Sequence, residues 1–184
     1  MISRQEALAV VEKNIPNANL QKHSFACEAV MKYLAEELGE DSEKWAMAGL
    51  LHDIDYVQTA EEPEKHSLIA SEMLEKMDVP EDVVYAVKVH NHVHGLPRKS
   101  LLDKALYAVD PLTGLIVACA LVSPEKKLKS IDTSFVLNRF KEKSFAKGAS
   151  REQIKTCEEL GLSLEKFVDI GLKGMQSIDE ELGL

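Results

Sequence analysis

Apolar side chains recur along this chain at steps of three and four residues, the spacing that gathers them on one face of an α-helix, and no run alternates as a half-buried strand would. Ser3 offers a cap for a first helix running to Asn14, where Pro16 and two asparagines make a break. A second helix over 19–38 ends at Gly39, Asp41 and Ser42 cap a third over 43–53, and 54–62 is a polar connection. Pro63 fits a first helical turn, after which His66, Ile69, Ala70, Met73, Leu74 and Met77 share one stripe. Pro80 opens the next helix, which carries Val83, Val87 and His90 on one face and ends before Gly95 and Pro97. A long helix follows over 100–122, and Pro111 is expected to kink it or split it in two. The ranges 133–147, 150–160 and 163–182 read as further helices punctuated by Gly148 and Gly161. The last is amphipathic, suited to capping the bundle or to a homodimer contact. The expected architecture is one all-α domain, a helical bundle over 1–184.

Composition narrows the function more than the fold. With 184 residues and 45% apolar content, the chain is large enough to bury a core. Lys and Arg total 22 against 31 Asp and Glu, a net charge of -9. No basic stripe stands out, which argues against a nucleic-acid polymer gripped by its backbone. A small phosphorylated substrate stays open, because a bound metal inverts the local field. Cys27, Cys119 and Cys157 show no CxxC spacing and read as buried reduced thiols. No charged-then-apolar leader opens the chain, and the longest apolar run, Leu115 to Val122, is far short of a membrane span. The expectation is a soluble cytoplasmic protein with no membrane partner.

The histidines change the picture. All six lie between positions 23 and 94, and their helical phase matters more than their number. His23 shares a face with Ala26, Val30 and Leu34. His52 follows Trp45, Ala48 and Gly49 on an inward face, His66 and His90 belong to apolar stripes, and Asp110 continues the Leu102 and Leu106 row. Ionisable groups aimed at one interior are expensive unless something offsets them, and a divalent cation does so economically. Adjacent residues differ by about 100° around a helix. His52 and Asp53 sit at a predicted helix end, however, where the backbone can turn both toward one ion.

In order along the chain, His23, His52-Asp53 and Asp110 resemble the H...HD...D signature of the HD superfamily of metal-dependent phosphohydrolases. The stretch Gly49-Leu50-Leu51-His52-Asp53-Ile54-Asp55 is similar to its best-known segment, in which an apolar pair precedes the dyad. The resemblance covers about 20–122 and leaves 123–184 as a helical extension. It implies hydrolysis of a nucleotide or other small phosphorylated compound, with the catalytic weight on His52 and Asp53. His23, His52, Asp53 and Asp110 would hold a first metal. His66 and His90, with Asp53 bridging, would hold a second, as in members that bind two. The histidine-rich donors suit Mn, Fe, Co, Ni or Zn better than Mg.

One position departs from the pattern. Many relatives have glycine where this chain has Asp55, and Asp tolerates a left-handed turn better than most residues. Asp55 is also a candidate partner for a ligand histidine. His92 and His94 read as surface histidines, and Arg98-Lys99 as a solvated basic pair. Thr113 and Gly114 border Asp110 only in sequence. A non-catalytic module sensing a nucleotide or a metal would share the fold, but the full set of ligand types speaks for an enzyme.

Overall fold

A computed structural model describes residues 1–184, and it is helical throughout with no strand. The helices are α1 (Arg4–Asn14), α2 (Ala18–Leu38), α3 (Ser42–Leu51), α4 (Tyr56–Thr59), α5 (Leu68–Leu74), α6 (Glu81–Val89), α7 (Leu101–Val122), α8 (Thr133–Lys141), α9 (Arg151–Lys155), α10 (Leu164–Gln176) and α11 (Asp179–Leu182). Short 3-10 turns cover His92–His94, Leu128–Ser130 and Thr156–Leu160. Polar caps set the starts. Ser3 makes a reciprocal capping box with Glu6, Asn17 caps α2, Asp41 caps α3, and Ser100 pairs with Asp103 at the start of α7.

The frame is α2 and α7, with α3 laid along α2 and α6 along α7. Two glycines permit the closest approaches. A Cβ on Gly49 of α3 would lie 2.6 Å from the Cys27 carbonyl of α2, and one on Gly174 of α10 would lie 3.1 Å from Ala29 O. The amphipathic α10 thereby closes the bundle, burying Phe167, Val168, Leu172 and Met175. Cys27, Cys119 and Cys157 are buried free thiols, as their apolar settings suggest.

Several boundaries differ from the periodicity. The expected polar connection contains α4. Pro63 lies in a turn, and α5 starts only at Leu68, because Ser67 stands at φ 71°, a left-handed conformation that no helix can pass through. His66 therefore sits outside the helix whose stripe it heads. Pro111 neither ends nor splits α7. It removes one backbone donor, and the packing around it holds one unbroken helical run. The expected helix over 133–147 stops at Lys141, and 150–160 and 163–182 each divide into two shorter elements. By length and composition α7 is apolar enough to cross a membrane, beyond the eight-residue run noted in the sequence, and here it is mostly buried as a core helix.

Substituting Gly49→Ala forces the Cys27 backbone and α3 apart, and overpacking of this kind costs about 1–3 kcal/mol. Thermal or urea denaturation should show that loss, together with weaker metal retention. Wild-type stability in this variant would contradict the crossing.

Candidate metal centre

The ends of α3 and α6, the bodies of α2 and α7 and the loop before α5 converge on Asp53. The carboxylate lies just beyond α3, with Oδ2 3.7 Å from His23 Nε2. Its Oδ1 lies 3.4 Å from His52 Nε2, 3.4 Å from His66 Nε2 and 3.5 Å from His90 Nε2. Asp110 Oδ1 is 3.2 Å from His23 Nε2, and the Nε2 atoms of His23 and His52 are 3.3 Å apart. All six residues singled out by the sequence thus come together.

The local reason is a repeated one. His52 and His90 each follow directly on the last turn of a helix, α3 and α6, where carbonyls lack their usual donors. Each turns its ring back to the carbonyl three residues earlier: His52 Nδ1 to Gly49 O at 2.8 Å, His90 Nδ1 to Val87 O at 2.6 Å. A carbonyl can only accept, so Nδ1 carries the proton and Nε2 presents its lone pair to the centre. The other two rings obey the same rule with side-chain acceptors. His23 Nδ1 meets Thr113 Oγ1 at 3.1 Å, and that hydroxyl donates to Asp110 O at 2.9 Å. His66 Nδ1 donates to Asp55 Oδ1 at 2.8 Å.

Asp55 is not in the left-handed conformation that its glycine-like position suggested. It stands at φ −100°, ψ −3°, in right-handed space open to any residue. Fully buried, it uses both oxygens: Oδ1 takes the His66 N–H, and Oδ2 accepts from Ala70 N at 2.8 Å. That second bond caps α5, whose own cap residue Ser67 supplies no side-chain bond. One carboxylate therefore starts a helix and orients a ring.

The His66 loop is fastened from its other side. Asn91 Nδ2 donates to Pro63 O at 2.9 Å and to His66 O at 3.1 Å. His94 Nε2 donates to His66 O at 2.7 Å, so His94 is a support for the site rather than a free surface histidine. His92 is exposed. Arg98 stacks on Tyr107 and pairs with Glu159, while Lys99 lies over Tyr85, so neither member of the basic pair is simply solvated. Thr113 was visible in sequence only as a neighbour of Asp110. Its three-residue spacing from Asp110 was the available signal.

A divalent cation fits this donor set. Atoms bound at about 2.1 Å around one ion lie roughly 3.0–3.4 Å from each other, close to the 3.2–3.7 Å separations seen here. Without a cation or extra protons, lone pairs would face one another across a buried space. Burial pushes the His52 imidazole down to about 4, keeping it neutral as a ligand must be. Burial alone would lower His23 and His90 and raise Asp53 and Asp110. Cys27 and Asp110 reverse the sign for His23, Asp53 reverses it for His90, and the surrounding imidazoles hold both carboxyls below the ordinary range. Cys27 Sγ lies 4.0 Å and 3.9 Å from the two nitrogens of His23, so it packs against that ring instead of joining the Nε2 atoms.

Access is one-sided. The side chains of His52 and His90 are 0% and 2% exposed, whereas those of His23 and Asp110 are 24% and 33% exposed. These two line a cleft of about 320 Å³ whose far wall is Ala146, Lys147, Gly148 and Ala149.

Comparison with known proteins agrees with this architecture. The family described as HD domain matches residues 20–118, and the chain belongs to that family of metal-dependent phosphohydrolases. It is 32% identical over 139 residues to Ribonuclease Y of Desulfotalea psychrophila, covering 73% of this chain and 26% of that protein. It is 31% identical over 114 residues to Ribonuclease Y of Lawsonia intracellularis, covering 62% and 22%. Ribonuclease Y of Fusobacterium nucleatum is 29% identical over 137 residues, covering 73% and 27%. The chain spans about a quarter of the length of these relatives. No solved structure matches it.

Replacing Asp55 by Ala leaves a buried imidazole N–H and the Ala70 N–H unpaired, at a cost of about 1–3 kcal/mol each. Loss of the ring's orientation should weaken metal binding about 10–100-fold. Calorimetric titration of Mn into chelator-treated protein reads the second effect separately from unfolding. Unchanged affinity would remove Asp55 from the site.

Proposed function

We propose that the chain hydrolyses a phosphate ester of a nucleotide, using divalent metal held by His23, His52, Asp53, His66, His90 and Asp110. The observation that carries this reading is the shared orientation of four imidazoles. Each Nδ1–H is engaged from outside, and each Nε2 is turned toward the ionised Asp53 carboxylate. A structural polar core would need no such uniformity. When bound, one or two ions would polarise a phosphoryl oxygen and acidify a water.

The residues of the chain do the rest. Asp53, with Oδ2 toward His23 and Oδ1 toward His52, His66 and His90, offsets the charge at the centre and would serve as a metal ligand. His52, neutral and sealed from solvent, offers Nε2 without a competing proton. Asp110, the most exposed of the six, borders the cleft and marks the side on which a phosphate approaches. Thr113 and Asp55 hold protons at His23 Nδ1 and His66 Nδ1, which keeps both rings in the coordinating tautomer.

A small nucleotide ester is the substrate favoured by the largely buried cluster and the overall charge of -9. A second reading, an RNA phosphodiester, is favoured by the name Ribonuclease Y of the relatives. Screening nucleoside monophosphates, diphosphates and short RNAs with Mn-loaded protein separates the two.

Asp53→Ala should abolish turnover, by about 10²-fold or more, while circular dichroism stays helical. Retained activity would sink the proposal. Metal analysis of untagged protein should give close to two ions per chain, falling toward one in His66→Ala. Because coordinating imidazoles must be unprotonated, metal content should fall below about pH 6. A flat metal content down to about pH 5 would argue against histidine ligation.

A further inference from the structure

The cleft beside His23 and Asp110 has its outer wall built from a segment beyond the family match, the loop between α8 and α9. That loop is shaped around one guanidinium. Arg151 Nε donates to Phe140 O at 3.1 Å, and its Nη1 donates to Ala146 O at 3.0 Å and Ala149 O at 2.8 Å. Its Nη2 reaches Phe145 O at 2.6 Å, Glu142 O at 3.2 Å and Arg139 O at 3.3 Å. Ala146, at φ 45°, is held in a left-handed conformation that costs a non-glycine residue about 1–2 kcal/mol. Strain maintained by a dedicated clamp at the mouth of a site points to something that the loop must present.

What it presents is positive charge. Lys147 stands on the wall of the metal-centre cleft and also on a neighbouring depression of about 500 Å³ that includes Lys141, Lys143, Lys155 and Glu152. Residues 141–155 hold five cations, Lys141, Lys143, Lys147, Arg151 and Lys155, against Glu142 and Glu152, in a chain whose net charge is -9. Glu142 is already paired with Arg139. These four lysines make no ion pair in the protein, and Lys147 is the one that lines the cleft shared with His23 and Asp110. An acidic protein thus places Lys147 at the accessible side of its buried carboxylate–imidazole cluster, continuous with a lysine-lined depression. Lys147 is the one lysine common to both surfaces.

We propose that Lys147, on the Arg151-clamped loop, binds a phosphate adjacent to the one being hydrolysed, so that the site selects substrates carrying at least two phosphates. This rests on the phosphohydrolase reading above and adds its specificity. The shared chemistry is a second phosphate anion, whether the β-phosphate of a free nucleotide or the next linkage of a short strand.

The test is equilibrium binding to Mn-loaded protein of three probes: a nucleoside monophosphate, its α,β-methylene diphosphate, and a 5′-phosphorylated dinucleotide. At least one two-phosphate probe should bind about tenfold tighter than the monophosphate, the scale of one charge-assisted hydrogen bond. Exposed Lys147 can be changed without touching the core. Lys147→Ala should shrink the gap below about threefold, and Lys147→Arg should restore most of it. A gap for the diphosphate alone identifies a free nucleotide, and a gap for the dinucleotide identifies a strand. Equal binding of all three probes, or a gap that survives in Lys147→Ala, overturns the proposal. Turnover without the gap would sink this inference and leave the phosphohydrolase reading standing. The gap without turnover would do the reverse.

Discussion

The site depends first on how closely α3 can lie against α2. Gly49 allows a backbone-to-backbone approach that a single methyl group would prevent, since its Cβ would stand 2.6 Å from the Cys27 carbonyl. His23 lies one turn before Cys27 on α2, and His52 lies just past the end of α3. The crossing therefore decides whether their Nε2 atoms can come within 3.3 Å. The same Gly49 carbonyl receives the His52 Nδ1–H. One residue without a side chain fixes both the spacing of the first two rings and the tautomer of one of them.

Around that crossing, unsatisfied backbone groups at helix ends are turned to use. The carbonyls of Gly49 and Val87 have no following helical turn to pair with, and an imidazole three residues later supplies the donor in each case. At the start of α5 the missing group is an acceptor, and Asp55 supplies it from a different element while also holding His66. Helix termination and ligand orientation are thus one set of hydrogen bonds. This explains how a buried cluster of imidazoles is held in place: the outer nitrogens of His52 and His90 pair with backbone carbonyls, those of His23 and His66 with Thr113 and Asp55, and the inner atoms remain for a cation.

The part of the chain beyond the family match contributes to this arrangement in two ways. Helix α10 seals the bundle through the close contact at Gly174, and the loop before α9 stands across the cleft from Asp110. The second contribution is held by Arg151, whose hydrogen bonds to carbonyls spread from Arg139 to Ala149 replace the regular structure that the loop lacks. The exposed side of the centre is consequently shaped by residues remote in sequence from the His-Asp pair.

Read alone, the sequence determined the all-helical class, the caps at Ser3 and Asp41 and the six ionisable residues that meet at the centre. The class, the caps and the inward phase of His23, His52, His66, His90 and Asp110 follow from local rules: apolar spacing, cap chemistry, and the cost of aiming charge at an interior. Asp53 joined them through the resemblance to the H...HD...D pattern. Tertiary contacts decided the rest. Ser67 takes a left-handed turn because the loop is fastened by Asn91 and His94, so His66 stands outside the helix that its stripe suggested. Pro111 leaves α7 continuous because buried neighbours hold the helix on both sides of it. Thr113 acquires its role only when α2 brings His23 beside it, 90 positions away in the chain. The loop at 142–149 has no periodicity of its own and gains its shape from one guanidinium that must satisfy five N–H groups. Periodicity registers which way a residue faces along its own helix; which distant backbone or side chain it meets there is settled only when the helices pack.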